Sequence, residues 1–411
     1  MDAISTHQEN CIPDKYYLAA LCSINGVGRS KLRLALNILG SARAVFEASA
    51  VELTKLELFT PKQLRQLLEG RKGEQPHSLL TFCQQRKIRL MTLFEEDYPP
   101  SLKQIADPPL VLYVWGKIPA YAYAVAIVGS RMCDGYGIQA TRDFSYKLAQ
   151  RGVPIISGGA KGIDTVAHTS CLEAGGVTVA VLGCGIDIAY PETNLGLFQR
   201  IAQQGAVLTE FAPGVQPLAL NFPMRNRIIV GLSQAVLVAQ AARKSGAVIT
   251  AHIAADEGRE VYCVPGNIFA GSNLGCHDLI RKGAKLVDGA EDIIEDMLDW
   301  QAMMQSRSTG QVEQNLFSYQ HSAAEEELSR QEAAAKLQAQ RKQLEEAKLC
   351  KLLSLSEAAR KIYAFLADDA RGFDAIMELS GENFMTVSMA VLDLQVAGLI
   401  VEEGVQTYRR I

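Results

Sequence analysis

Between Val125 and His168 the chain runs twice from a short apolar segment through a glycine loop into a helical pattern, and this doubled unit restricts the fold to a parallel α/β sheet. Val125 to Val128 is apolar throughout, as a strand buried on both faces should be, and it stops at Gly129-Ser130-Arg131. A helix is predicted over 138–150, closed by Gly152. Pro154-Ile155-Ile156 is the second strand, and Ser157-Gly158-Gly159-Ala160-Lys161-Gly162 is the second loop, feeding a helix that starts near Asp164. In such a sheet the carboxyl ends of the strands share one edge, where backbone N–H groups and helix N-termini favour anions. Glycine lets phosphate oxygens approach the backbone, and Arg131 and Lys161 place a cation beside each loop. One glycine loop is as readily a tight turn as a ligand site. Two loops, each with its own cation, point to a phosphate chain.

The alternation continues, with strands expected at 177–182, 206–209, 235–239, 261–264 and 285–287, which makes a doubly wound, mainly parallel sheet of about seven strands. Upstream, Ile88–Leu93 and Leu110–Gly116 read as strands between proline turns, and this join is expected to extend the sheet. Arg225-Asn226-Arg227 and Lys244-Ser245-Gly246 fall in later loops of the same edge. Cations at four separate strand ends favour an anionic partner, although the arginines of 225–227 have an alternative in pairing with acids such as Glu210.

The two ends differ in character. Leu18 to Leu32 has the pattern of a helix-hairpin-helix, a SAM-like helical arrangement with a turn of form hxGhG at Ile24–Gly28. Its amides would hold one DNA phosphate, supplemented by Arg29, Lys31 and Arg33, but the same glycines suit a plain αα corner. Residues 299–354 are polar and rich in Gln, Ala, Glu and Lys, a helical linker. Residues 355–411 show three helical segments and a terminal strand pair, the outline of a winged helix. From Gly372 to Tyr408 there is no Lys or Arg against six acidic side chains. The recognition-helix position, Asn383–Met389, therefore cannot neutralise phosphates, and the domain reads as a protein-contact or regulatory module. The expected division is 1–76 helical, 77–298 extended Rossmann-like, 299–354 linker and 355–411 winged helix.

Charge follows the same division. Basic and acidic side chains number 14 and 12 over residues 1–109, 15 and 12 over 110–290, and 12 and 21 over 291–411. An anionic partner should meet the first 290 residues. No apolar run has membrane-span length and the N-terminus lacks a signal core, so a cytoplasmic protein is expected. Nine cysteines without a C-x-x-C pair read as small buried residues in a reducing compartment, and no metal or cofactor is expected. There is no G-x-x-x-x-G-K-[ST], H-E-x-x-H or G-x-S-x-G sequence. Asp164 and His168, four apart on one helix, are the nearest approach to a catalytic pair; a carboxylate at a helix N-terminus with a histidine packed behind it is the commoner arrangement.

IVGSR (127–131), SGGAKGIDTVAH (157–168), FPMRNRII (222–229), KSGAVITA (244–251), GREVYCVPG (258–266) and LIRKGA (279–284), in this order, resemble the DprA/Smf family of DNA-processing proteins. The resemblance spans roughly residues 90–290. It implies a non-enzymatic protein that binds and protects single-stranded DNA in a positive pocket, dimerises through the Rossmann domain, and loads the RecA recombinase during natural transformation and DNA recombination. Carried over by motif, Gly129, Ser130, Arg131, Ser157, Gly158, Gly159, Lys161, Arg225, Asn226, Lys244, Ser245 and Gly246 would line that pocket. Gly159 stands where the motif more often has a bulkier apolar residue. Tyr136, Tyr190 and Phe222 are candidates for stacking on bases. The competing class is a nucleotide-processing enzyme of the lysine-decarboxylase-like phosphoribohydrolase type, whose P-G-G-x-G-T-x-x-E loop is missing here.

Overall fold

The computed structural model describes residues 12–72, 76–310, 354–366, 371–404 and 407–410. It divides into two compact units, residues 1–304 and 305–411. The first unit opens with six helices, α1 (Asp14–Ser23), α2 (Arg29–Leu39), α3 (Ala42–Glu47), α4 (Ala50–Lys55), α5 (Pro61–Gly70) and α6 (Pro76–Arg86). Capping boxes start two of them, Ser49 with Glu52 for α4 and Thr60 with Gln63 for α5. Each satisfies two backbone donors that a helix start would otherwise leave open.

A nine-stranded sheet follows. Its strands are β1 (Ile88–Thr92), β2 (Val111–Gly116), β3 (Val125–Gly129), β4 (Ile155–Ser157), β5 (Thr178–Val181), β6 (Ala206–Thr209), β7 (Ala235–Gln240), β8 (Glu260–Cys263) and β9 (Lys285–Leu286), in the spatial order β1-β2-β6-β5-β4-β3-β7-β8-β9. The seven strands from β3 onward are parallel, and β1 and β2 extend the sheet antiparallel at the β6 side. The connecting helices are α7 (Pro100–Lys103), α8 (Gly135–Gln150), α9 (Ile163–Glu173), α10 (Leu195–Gln204), α11 (Asn221–Gly231), α12 (Gly246–Asp256), α13 (Leu274–Arg281) and α14 (Ala290–Gly310).

Alternate residues of the central strands divide between two apolar clusters, as the two-residue period of a strand requires. Ala126, Val128, Ile156, Val236 and Val238 belong to one cluster, and Val125, Ile127, Ile155 and Leu237 to the other. The first cluster runs without a break into Leu18, Leu21, Leu32 and Leu53 of the N-terminal helices. The second takes Phe144 and Leu148 of α8 and Ile293 of α14. Both faces of the sheet are thus covered, which is why its strands read as continuous apolar runs.

The second unit contains α15 (Glu357–Phe365), α16 (Phe373–Ser380) and α17 (Phe384–Val396), with a three-stranded antiparallel sheet of β10 (Arg371–Gly372), β11 (Ile400–Gly404) and β12 (Thr407–Arg410) in the order β10-β12-β11. It has its own core, formed by Ile362, Phe373, Ile376, Val387, Val391 and Leu394 among others. Most of the expected polar linker, residues 311–353, lies outside the described residues. No described helix is long and apolar enough to cross a membrane.

Candidate nucleic-acid interface

The chain reverses its direction of travel across the sheet at β3, which lies between β4 and β7. At such a switch point adjacent crossovers lie on opposite faces and leave a crevice at the carboxyl ends of the strands. The loops after β3, β4 and β7 meet here. Ser130 N–H donates to the Gln240 carbonyl at 2.8 Å, and Ile163 N–H donates to the Ser130 carbonyl at 3.1 Å. Gly162 sits at φ +82°, and a Cβ there would stand 2.3 Å from the Ser130 oxygen. The two glycine loops are therefore in backbone contact, and only glycine permits it.

A cleft of about 580 Å³ opens at this junction. Gly129, Ser130 and Arg131 form one wall, and Ser245 and Gly246 at the start of α12 another. Phe222, Arg225 and Asn226 enter from α11, and Tyr190 from the segment after β5. The Arg131 guanidinium is exposed and lies over the Phe222 ring, 4.8 Å from its centroid. Tyr190 packs on the same ring at 5.5 Å, inclined by 44°. A free cation, an aromatic face and open loop backbone thus share one concavity.

Arg225 plays a different part, being only 4% exposed. Its Nη1 donates to the Gly158 carbonyl at 2.7 Å and to the Val181 carbonyl, while Nε has no partner. Burial pulls its pKa down to about 10, leaving it charged near neutrality. Asp164, also buried, accepts from Ala160 N–H at 3.2 Å. Burial raises its pKa, opposed first by the Arg225 charge. A Cβ on Gly158 would stand 2.6 Å from the Asp164 carboxylate and 2.7 Å from Arg225 Nη2. Gly158 therefore makes room for two buried side chains, Arg225 and Asp164, that support the second loop from behind.

Of the twelve residues expected at the site, Gly129, Ser130, Arg131, Arg225, Asn226, Ser245 and Gly246 line the cleft. Ser157 is buried and its hydroxyl donates to the Ile127 carbonyl at 2.6 Å. Gly159, at φ +66°, lies where a Cβ would meet the Phe198 ring at 2.8 Å, and its carbonyl accepts from Asn194 Nδ2. Gly158 stands with these two in the layer behind the cleft. Lys161 and Lys244 are exposed in the loops of the same edge but are not part of the cleft wall. Tyr190 and Phe222 line it, whereas Tyr136 donates to the Pro265 carbonyl at 2.6 Å and does not. Asp164, expected at the helix N-terminus beside the second loop, also lines the cleft, as do Ala160, Pro217 and Thr250, which the motifs did not single out as site residues.

Arg227 and Arg29 are held in a separate ion-pair group. Arg227 bonds Glu210 at 2.5 Å and the Asp107 carbonyl at 2.6 Å, and Arg29 bonds Asp107 at 2.6 Å and Glu210 at 2.9 Å. Arg29 is thus committed within the protein, and Lys31 bonds Gln63 at 2.7 Å. The hairpin turn packs on α5, with a Cβ at Gly26 only 2.4 Å from the Gln66 side chain. His168 is fully buried one turn further along α9 than Asp164, its Nδ1 2.7 Å from Thr178 Oγ1. The Thr178 hydroxyl donates to the Ile155 carbonyl, so Nδ1 carries the proton toward Thr178. His168 is not among the residues lining the cleft, whereas Asp164 is.

The family described as DNA recombination-mediator protein A matches over residues 89–298. Protein Smf of Synechocystis is 31% identical along 97% of this chain and 99% of its own length. The DNA processing protein DprA of Streptococcus pneumoniae is 42% identical over 51% of this chain and 75% of its own. An X-ray structure of DprA from Streptococcus pneumoniae superposes with a TM-score of 0.60 at 33% identity, covering 69% of this chain and 98% of that one. With a family model matched over half of its length and a relative matched along nearly its whole length, the chain belongs to the DprA/Smf family of DNA recombination-mediator proteins.

Proposed function

We propose that the chain binds and protects single-stranded DNA in the switch-point cleft and acts without catalysis, loading RecA onto the strand during recombination and natural transformation. The observation that carries this reading is the meeting of Arg131, the first glycine loop, the Ser245–Gly246 turn and the Phe222–Tyr190 pair in one concavity. Phosphates find a cation there, and unstacked bases find an aromatic face worth about 1–3 kcal/mol each. A duplex keeps its bases stacked and cannot present them to Phe222. Among the described residues lining the cleft Asp164 supplies the one carboxylate, and the Ala160 N–H already engages it. Hydrolysis of a glycosidic bond ordinarily requires two, which disfavours the nucleotide-processing alternative.

Dimerisation through the sheet domain, cytoplasmic operation without a cofactor, a helix-hairpin-helix at 1–76, a sheet domain at 77–298, a linker at 299–354 and a winged helix at 355–411 belong to the same proposal. Titration of a labelled oligo-dT and a matched duplex by fluorescence anisotropy at two salt concentrations tests the reading. Single-strand binding should be tighter, and it should weaken with salt at a logarithmic slope near −0.7 per phosphate neutralised, approximately. Equal affinity for duplex, or binding indifferent to salt, would overturn it.

A further inference from the structure

The helix α17 (Phe384–Val396) is apolar on two opposite faces. Val387, Ala390, Val391 and Leu394 form its core face. Met385, Met389, Leu392 and Val396, spaced four, three and four apart, fall on a single stripe opposite that core, at 74%, 63%, 59% and 82% exposure. A helix with one buried face ordinarily carries polar residues outward, so four large apolar side chains in register mark a contact surface. Among the described residues nothing covers it. Thr386 and Asp393 flank the stripe on one side, Ser388 and Gln395 on the other. The segment that carries it is acidic: Asp374, Glu378 and Glu402 are exposed, and no Lys or Arg occurs from 372 to 408, while the cations among the described residues of 354–410 lie on α15, where Lys361 pairs with Glu382 at 3.0 Å, and on the strands.

We infer that the outward stripe of α17 docks an amphipathic helix of another protein whose apolar face is bordered by Lys and Arg. Charge selects this occupant. Nucleic acid and anionic lipid would meet α16 and α17, which carry acids and not one Lys or Arg, and a second copy of this face would bring acid against acid. A basic amphipathic helix satisfies both the stripe and its surroundings, by the helix-to-groove mode in which anchors recur at i, i+4 and i+7. This surface is independent of the cleft proposed for DNA.

The test uses the full chain and labelled synthetic 18-residue helices in anisotropy titrations. One peptide carries a leucine stripe flanked by lysines, a second the same stripe flanked by glutamates, and a third the lysines with alanines replacing the leucines. The lysine–leucine peptide should bind at least about tenfold tighter than either other. The substitutions Met389→Ser and Leu392→Ser, made together, should weaken that binding about tenfold or more without changing the thermal melt or the oligo-dT affinity. Equal binding of the glutamate-flanked peptide, or binding untouched by the substitutions, would overturn the inference. So would sedimentation showing that the substitutions dissociate a dimer while the lysine–leucine peptide fails to bind the wild type, since the occupant would then be a second copy.

Discussion

At the scale of single residues, position 158 shows how a motif glycine can serve a site it never touches. Its missing side chain leaves space for Arg225 and Asp164, and these hold the loop that contacts Ser130 through Gly162. His168 is the other buried titratable group of this layer, and it gives a stability signature. Burial, helped by the Arg225 charge, pulls its pKa down from 6.5 to about 3. The folded state therefore holds it neutral while the unfolded chain takes up a proton below pH 6.5. Its contribution is complete above that value and is lost as the pH falls toward 3. At pH 5 the loss from this group is about 2 kcal/mol. Urea unfolding of the wild type at pH 7 and pH 5 should show this fall, and His168→Gln should flatten the dependence even if the variant is less stable at both values. A slope unchanged by the substitution would place the titrating group elsewhere.

At the scale of elements, the strands were legible because both sheet faces are covered: short apolar runs such as Val125–Val128, each stopped by a glycine loop, read as strands buried on both faces. That β1 and β2 extend the sheet followed from the proline turns that bracket them, but their antiparallel direction did not. Side-chain partners across long separations were not legible. Arg29 bonds acids 78 and 181 residues away, so its place beside a hairpin turn suggested a phosphate contact, whereas the fold commits it to Asp107 and Glu210. Likewise Arg225 and Arg227 share one motif, and only the start of α11 decides that one supports the cleft and the other ties α2 to the sheet. Glu210, whose side chain is 6% exposed, is central to that tie. Removing it as Glu210→Ala leaves Arg227 buried without its closest carboxylate, at a cost of about 3 kcal/mol. Denaturant unfolding measures this directly. A loss below about 1 kcal/mol would mean that Asp107 alone suffices.

At the scale of the whole molecule, the charge division seen in the sequence coincides with two units that have separate cores. The first keeps Arg131, Lys161 and Lys244 exposed along one sheet edge; the second presents an apolar stripe in acidic surroundings. Composition predicted which unit should avoid phosphate, but not which face of α17 the core would leave open, because apolar residues occupy both. The cleft was legible as a set of loops, and its layering was not, since a glycine at the surface and a glycine behind it look alike in a motif.

The central claim is that this cleft is the single-strand site, and charge removal tests it most directly. Labelled oligo-dT should be titrated with the wild type, with Arg131→Ala/Lys161→Ala, and with Arg151→Ala/Arg200→Ala, which removes two exposed cations in α10 and after α8. Helices of a parallel α/β sheet end at the edge opposite the carboxyl ends of its strands. The first variant should lose about tenfold or more in affinity and show a shallower salt dependence, and the second should lose less than about threefold. Equal losses in the two variants would reduce the interaction to net charge, and undiminished binding by the first would place the DNA elsewhere on the molecule.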